Sequence, residues 1–177
     1  MTSVRPSPGA SRAEIERAVE QLHRRHYRGL VAPLIRMVGG FAQAEEVVQD
    51  AYLRAFTAWS ERGLPDEPLA WLRTTVRRSA IDRYRSRGRR QSRDEAWSDL
   101  RPSSTEAELD FDEVGDDVLR LIFTCCHPSL APEAQVGLTL KTVCGLTTEE
   151  VARAFLLKPT TLAQRLVRAK KKIASAG

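Results

Sequence analysis

Outside residues 87–112, the apolar residues of this chain recur every three or four positions, and no stretch alternates apolar with polar as a half-buried strand does. The clearest case is one face formed by Ala44, Val47, Val48, Ala51, Tyr52, Ala55 and Trp59, opposite a face with Glu45, Glu46, Gln49, Asp50 and Arg54. Upstream, Ser11 is an N-cap candidate with Glu14 three residues later. The stripe Ile15, Val19, Leu22, His26 follows, Pro33 divides the helix, and Gly39-Gly40 ends it. Downstream, Asp66 can cap a helix that Pro68 enters and that runs to about Arg85, with Leu69, Leu72, Val76 and Ala80 inward. Val114, Val118, Leu121, Ile122 and Cys125 mark a further helix that Pro128 stops; Pro132 opens the next, closed by Gly145. The expected fold class is therefore all-α.

Charge divides the chain. Residues 71–93 hold nine Arg and one Asp, and residues 94–117 hold ten acidic residues and one Arg, within a net charge of +5. Residues 87–112 are rich in charge and Ser, include Pro102-Ser103-Ser104-Thr105, and carry no sustained period, so they read as a flexible acidic linker. The division expected is a disordered lead-in over 1–10, a helical domain over 11–90, the linker over 91–112, and a second helical domain over 113–177.

The last thirty residues have the pattern of a helix-turn-helix. Thr147 and Glu150 form a capping box, and Val151, Ala154 and Phe155 follow at helical spacing. Leu157-Lys158-Pro159 breaks the first helix and starts a second. That second helix places Leu162, Leu166, Ala169 and Ile173 on one face. The other face carries Thr160, Thr161, Gln164, Arg165, Arg168, Lys170, Lys171 and Lys172, and residues 158–177 hold six Lys/Arg and no acid. A short helix, a tight turn and a basic second helix suit the major groove of DNA. The early residues reach base edges and the later Lys residues meet phosphates.

Other chemistry is hard to place on this sequence. There is no nucleophile–base pair, phosphate loop or carboxylate constellation, so no catalysis and no cofactor is expected. Cys125-Cys126-His127 does not make a metal site, because adjacent Cys side chains diverge on a helix. Three Cys without a disulfide framework point to a reducing cytoplasm, and no apolar run approaches a membrane span.

Three stretches together resemble the bacterial RNA polymerase sigma factors of the extracytoplasmic-function type. Residues 44–55 (AEEVVQDAYLRA) resemble the family's core-binding helix in region two. Trp71-Leu72 through Ala80-Ile81-Asp82-Arg83-Tyr84-Arg85 resemble its promoter-melting helix. Residues 146–152 (LTTEEVA) and 160–170 (TTLAQRLVRAK) resemble region four.

The resemblance implies a region-two bundle and a region-four helix-turn-helix that bind core RNA polymerase, recognise −35 and −10 promoter elements and help open DNA. Glu46, Gln49 and Asp50 would then dock on the clamp helices of the largest subunit, and region four on the flap of the second-largest. Arg73, Arg77, Arg78, Arg83 and Arg85 would track phosphates near the −10 element, with Trp71 and Tyr84 placed to stack on unpaired bases. Trp71 also adjoins the apolar stripe, so core packing stays open for it. Where Arg78 stands, the family often has Asn. Thr160, Thr161, Gln164, Arg165, Arg168 and Lys171 would meet the −35 element. The acids Glu106, Glu108, Asp110 and Asp112 would lie in a nucleic-acid channel of the polymerase. Cys125 to Pro128 and residues 163–166 (AQRL) are similar to a subgroup with a C-terminal extension that is absent here. Such an extension or an anti-sigma factor is the regulator implied. The alternative class is a freestanding helix-turn-helix regulator, which needs neither the second basic domain nor the acidic linker.

Overall fold

The computed structural model describes residues 11–94, 111 and 115–176, and among these it contains eight helices and no strand. They are α1 (Arg12–Val31), α2 (Leu34–Val38), α3 (Phe41–Arg62), α4 (Pro68–Asp94), α5 (Gly115–Cys125), α6 (Pro132–Thr142), α7 (Thr148–Ala154) and α8 (Pro159–Ala176). The lead-in over 1–10 and most of the acidic linker, with Glu106, Glu108, Asp110 and Asp112, lie outside the described residues.

The helix boundaries follow from local chemistry. Ser11 caps α1 in a capping box with Glu14, whose carboxylate accepts the Ser11 backbone N–H at 2.6 Å. Pro33, which has no N–H to donate, separates α1 from the single turn of α2. Gly39 ends α2 in the left-handed region at φ 88°. The capping box at Thr147 and Glu150 also forms, starting α7. After α7 the chain turns through Leu156 at φ 54°, and Pro159 opens α8.

Helices α1 to α4 pack as a bundle. Leu30 and Val31 of α1, Leu34 and Val38 of α2, Val47, Val48, Ala51 and Ala55 of α3, and Leu72, Val76 and Ala80 of α4 fill its interior. Trp59 is buried with the Trp71 ring edge-on at 5.5 Å between centroids. Helices α5 to α8 surround Leu121, Cys125, Leu130, Leu138, Val151, Ala152, Leu162, Leu166 and Ala169. The Phe111 ring is buried, and the Arg73 guanidinium lies 6.0 Å from its centroid.

Two expectations change. The helix entered at Pro68 runs to Asp94 rather than to about Arg85, because Arg and Gln favour helix and no Pro interrupts the chain before Pro102. Glu45, expected on the outer face of α3, is 5% exposed. It sits at the spacing Phe41, Glu45, Val48, Tyr52, four buried residues on one stripe of the helix.

Two glycines of the C-terminal half differ in what a methyl group would meet. At Gly137, inside α6, an added Cβ would lie 3.8 Å from both Leu162 and Leu166, an ordinary contact. At Gly145, with φ +72°, it would lie 2.5 Å from the Arg24 backbone oxygen. Gly137→Ala is therefore expected to stabilise the fold by about 0.4–1 kcal/mol, while Gly145→Ala lowers stability. Thermal melts of the two variants beside the parent check this; a Gly145→Ala protein as stable as the parent would contradict the close approach.

Candidate nucleic-acid interface

Helix α8 is divided by its own periodicity. With 100° per residue, Leu162, Leu166, Ala169 and Ile173 fall within an arc of about 60°. Three of them are buried and Ile173 packs partly against the core. Thr160, Gln164, Arg168 and Lys171 fall together on an arc of about 80° on the opposite side, and all four are exposed. Arg165 is exposed as well, and Thr161 is half-buried. Arg165 and Arg168 rim a groove between α6 and α8 of about 580 Å³, floored by Leu130, Ala134 and Leu162. Of the residues expected at the −35 element, Thr160, Gln164, Arg168 and Lys171 therefore share the side of α8 turned from its packing stripe, while Thr161 and Arg165 lie on its flank.

The candidates of the N-terminal half split. Arg77, Arg78, Tyr84 and Arg85 are exposed along α4. Trp71, Arg73 and Arg83 are half-buried, each against a protein partner: Trp59, Phe111 and Glu46 respectively. Glu46, Gln49 and Asp50 are exposed on α3. The Arg83–Glu46 ion pair joins a residue expected to touch DNA to one expected to touch polymerase. Asp50, Arg54, Asp82 and Arg83 line a single polar groove of about 470 Å³ between α3 and α4. Arg54 donates to Ser79 Oγ at 3.3 Å across it. Leu53, exposed on α3, was not singled out by sequence, because a single exposed Leu carries no pattern.

The largest surprise lies between the halves. Glu45 Oε1 accepts the Tyr27 hydroxyl at 2.8 Å, and Glu45 Oε2 meets Lys170 Nζ at 2.6 Å. Lys170 also lies 5.8 Å from the Phe41 ring centroid. On α8, Lys170 falls about 120° from Gln164, on the other flank of the packing stripe. It therefore faces α3 and not the Gln164 side, a correction to its expected place among the outward basic residues. Glu45 is buried and Lys170 half-buried, so removing either partner leaves the other charge poorly solvated. Nearby, Arg24 Nη2 donates to Glu150 Oε1 at 3.0 Å and Arg28 Nη1 to the Val143 carbonyl at 3.4 Å. Burial holds the Lys141 ammonium below its ordinary pKa, with Lys170 adding to the effect.

Cys125 is buried, and burial pushes its thiol up to about 12, so it is an inert core thiol. The His127 Nδ1 accepts the Ser129 backbone N–H at 3.1 Å in the turn after α5. Among the described residues no group of three His, Cys, Asp or Glu could hold a metal ion, and no helix is long and apolar enough to cross a membrane.

The described residues thus form two helical parts, one with an arginine-lined helix and one ending in a basic helix-turn-helix. Residues 22–90 match Sigma-70 region 2, and residues 120–173 match Sigma-70, region 4. The chain is 39% identical over 148 residues to an uncharacterised protein of Rhizobium meliloti (strain 1021), covering 81% of this chain and 35% of that protein. It is 29% identical over 153 residues to a protein of Mycobacterium tuberculosis named "Probable ECF RNA polymerase sigma factor SigI", covering 85% of this chain and 52% of that one. The chain thus spans between about a third and a half of the length of these relatives. It belongs to the sigma-70 family, with regions 2 and 4 in order along the chain.

His23, stacked on Tyr27 at 4.5 Å, sits beside the contact between the halves. Burial, with Lys141 and Arg24 nearby, lowers its pKa to about 4. Burial and Arg73 lower that of His26 too. An unfolded imidazole takes up its proton near 6.5, so between pH 6.5 and about 4 the unfolded chain binds more protons and stability falls as the pH is lowered. His23→Phe keeps the stacking and removes this titration. It is expected to flatten the fall in melting temperature across that window, read as the difference between parent and variant melts; identical pH profiles would contradict a neutral His23.

Proposed function

We propose that this chain acts in the cytoplasm as a promoter-specificity subunit. It binds core RNA polymerase, directs it to paired −35 and −10 elements and assists DNA opening. The observation that carries this reading is the presence of both sigma regions in order, with the outward side of α8 exposed. The exposed Glu46, Gln49 and Asp50 are the polymerase contacts, since carboxylates pair well with Arg on the clamp helices of the largest subunit. Region four, over 113–177, docks on the flap of the second-largest subunit. Arg77, Arg78 and Arg85, with Arg73 and Arg83, follow phosphates near the −10 element. Tyr84 stacks on an unpaired base, and Trp71, held against Trp59, supports that platform.

On α8, Gln164 and Arg165 read bases, Thr160 and Thr161 sit beside them at the helix start, and Arg168 and Lys171 meet the backbone. An anti-sigma factor or a C-terminal extension supplies regulation. The acids Glu106, Glu108, Asp110 and Asp112 enter a nucleic-acid channel of the polymerase. The experiment is reconstitution with core polymerase. Gln49→Ala with Asp50→Ala should weaken core binding with at most a small fall in melting temperature, from the lost Gln49 contact with Tyr27. Glu46→Ala is a poorer probe, because it also frees Arg83. Loss of stability with unchanged polymerase affinity would make these residues structural.

A second arm concerns DNA. Arg165→Ala should relax preference at defined positions of the −35 element, worth about 1–3 kcal/mol of discrimination. Lys171→Ala should weaken all sequences alike and reduce the salt slope by about one. A promoter-variant binding panel at several salt concentrations reads both; the reverse assignment of effects would mean that α8 enters the groove in another orientation.

A further inference from the structure

Helix α7 ends in a left-handed turn of the kind glycine usually fills. The Leu156 N–H donates to the Arg153 carbonyl at 3.1 Å and the Leu157 N–H to the Ala152 carbonyl at 2.8 Å, the paired bonds of a Schellman cap. They hold Leu156 at φ 54°. The other positive-φ positions among the described residues, Gly39, Gly40, Gly63 and Gly145, are all glycine. A Cβ in this region crowds the following carbonyl, so Leu156 strains the turn.

Packing within the chain does not offset that strain. Leu156 is 94% exposed, while its neighbours Phe155 and Leu157 line the groove beside α8. Leu53 is exposed too, but it stands inside α3, where Leu is a good helix former. At Leu156 backbone conformation and exposure both disfavour the residue that is there.

The surroundings define the partner's chemistry. Arg153, Lys158 and Thr160 are exposed on either side of Leu156, and residues 151–177 hold seven Lys/Arg and no acid. A lone aliphatic side chain in a cationic surface suits an anionic partner that offers an apolar spot. DNA offers one in the major groove, the thymine C5-methyl group. In a docked helix-turn-helix the first helix crosses the backbone and the start of the second lies at base edges. The turn between them therefore lies at the margin of the groove.

We propose that Leu156 is a specificity-determining residue that packs on the C5-methyl of a thymine at one end of the −35 element. This deepens the sigma-factor reading above and rests on it. The leucine adds an apolar contact to the polar ones of Gln164 and Arg165.

The test uses holoenzyme rebuilt from core polymerase and the full chain, with a −35 duplex that it selects from a random pool. Each thymine is replaced in turn by uracil, which lacks only the methyl group. At one thymine the parent should lose about fourfold in affinity, the effect of one methyl group left unburied. Leu156→Gly should lose a similar factor on the thymine duplex and be indifferent to uracil at that position. Leu156→Asn, which also tolerates a left-handed turn, should behave alike. The free Leu156→Gly chain should melt about 2 °C above the parent, because strain is relieved and no packing is lost. A parent indifferent to uracil at every position overturns the contact. A variant as sensitive to uracil as the parent overturns it too, and a uniform loss on every duplex then assigns Leu156 to the sugar–phosphate backbone. Weaker association of Leu156→Gly with core polymerase, at unchanged DNA affinity, makes the partner a protein instead, and a lower melting temperature makes Leu156 part of the fold. A holoenzyme that selects no −35 sequence overturns the sigma-factor reading, and this contact with it.

Discussion

A carboxylate without water must find donors, and Glu45 finds two from different parts of the chain. Tyr27 on α1 and Lys170 on α8 each engage one of its oxygens, so the first turns of α3 become a place where α1 and α8 converge. Burial raises the Tyr27 phenol well above its ordinary pKa, which keeps it a donor to the carboxylate. The Cys125 thiol is pushed up by the same surroundings, Glu45 among them. Breaking a pair so placed is costly because the remaining charge stays in a poor solvent. The placement of α8 against the bundle therefore depends on this contact, and with it the spacing between the two DNA-facing helices.

The same helix meets both demands because its periodicity leaves room for three faces. The stripe of Leu162, Leu166 and Ala169 is buried; Gln164, Arg168 and Lys171 point away; Lys170 lies on the remaining flank. Each face is continuous along the helix because residues three and four apart are neighbours. In α4 the division is less clean. Its inner stripe runs out after Ala80, and Arg83, in line with that stripe, reaches Glu46 beyond the end of the apolar core. The helix then continues to Asp94.

The all-helical class, the proline and glycine breaks and both capping boxes were legible in the sequence, because each depends on residues within a few positions of one another. So was most of the outward side of α8, Lys170 apart, since its buried stripe recurs at spacings of four and three. The end of α4 was misplaced because charged residues without apolar periodicity look like a linker, although Arg and Gln favour helix. Trp71 was left between core and surface by sequence; its half-buried, edge-on contact with Trp59 comes from how α3 and α4 pack, which no local pattern encodes.

The sequence determined what each helix is and which side of it is apolar, because side-chain chemistry and backbone geometry act over three or four residues. The tertiary structure decided which charges meet. The sequence placed Glu45 on the outer face of α3, whereas packing buries it, and its partner lies 125 positions later. Only the packing of α8 on α3 could select Lys170 rather than its neighbours Lys171 and Lys172, because an ion pair forms by distance in space, and that distance is set by every contact between.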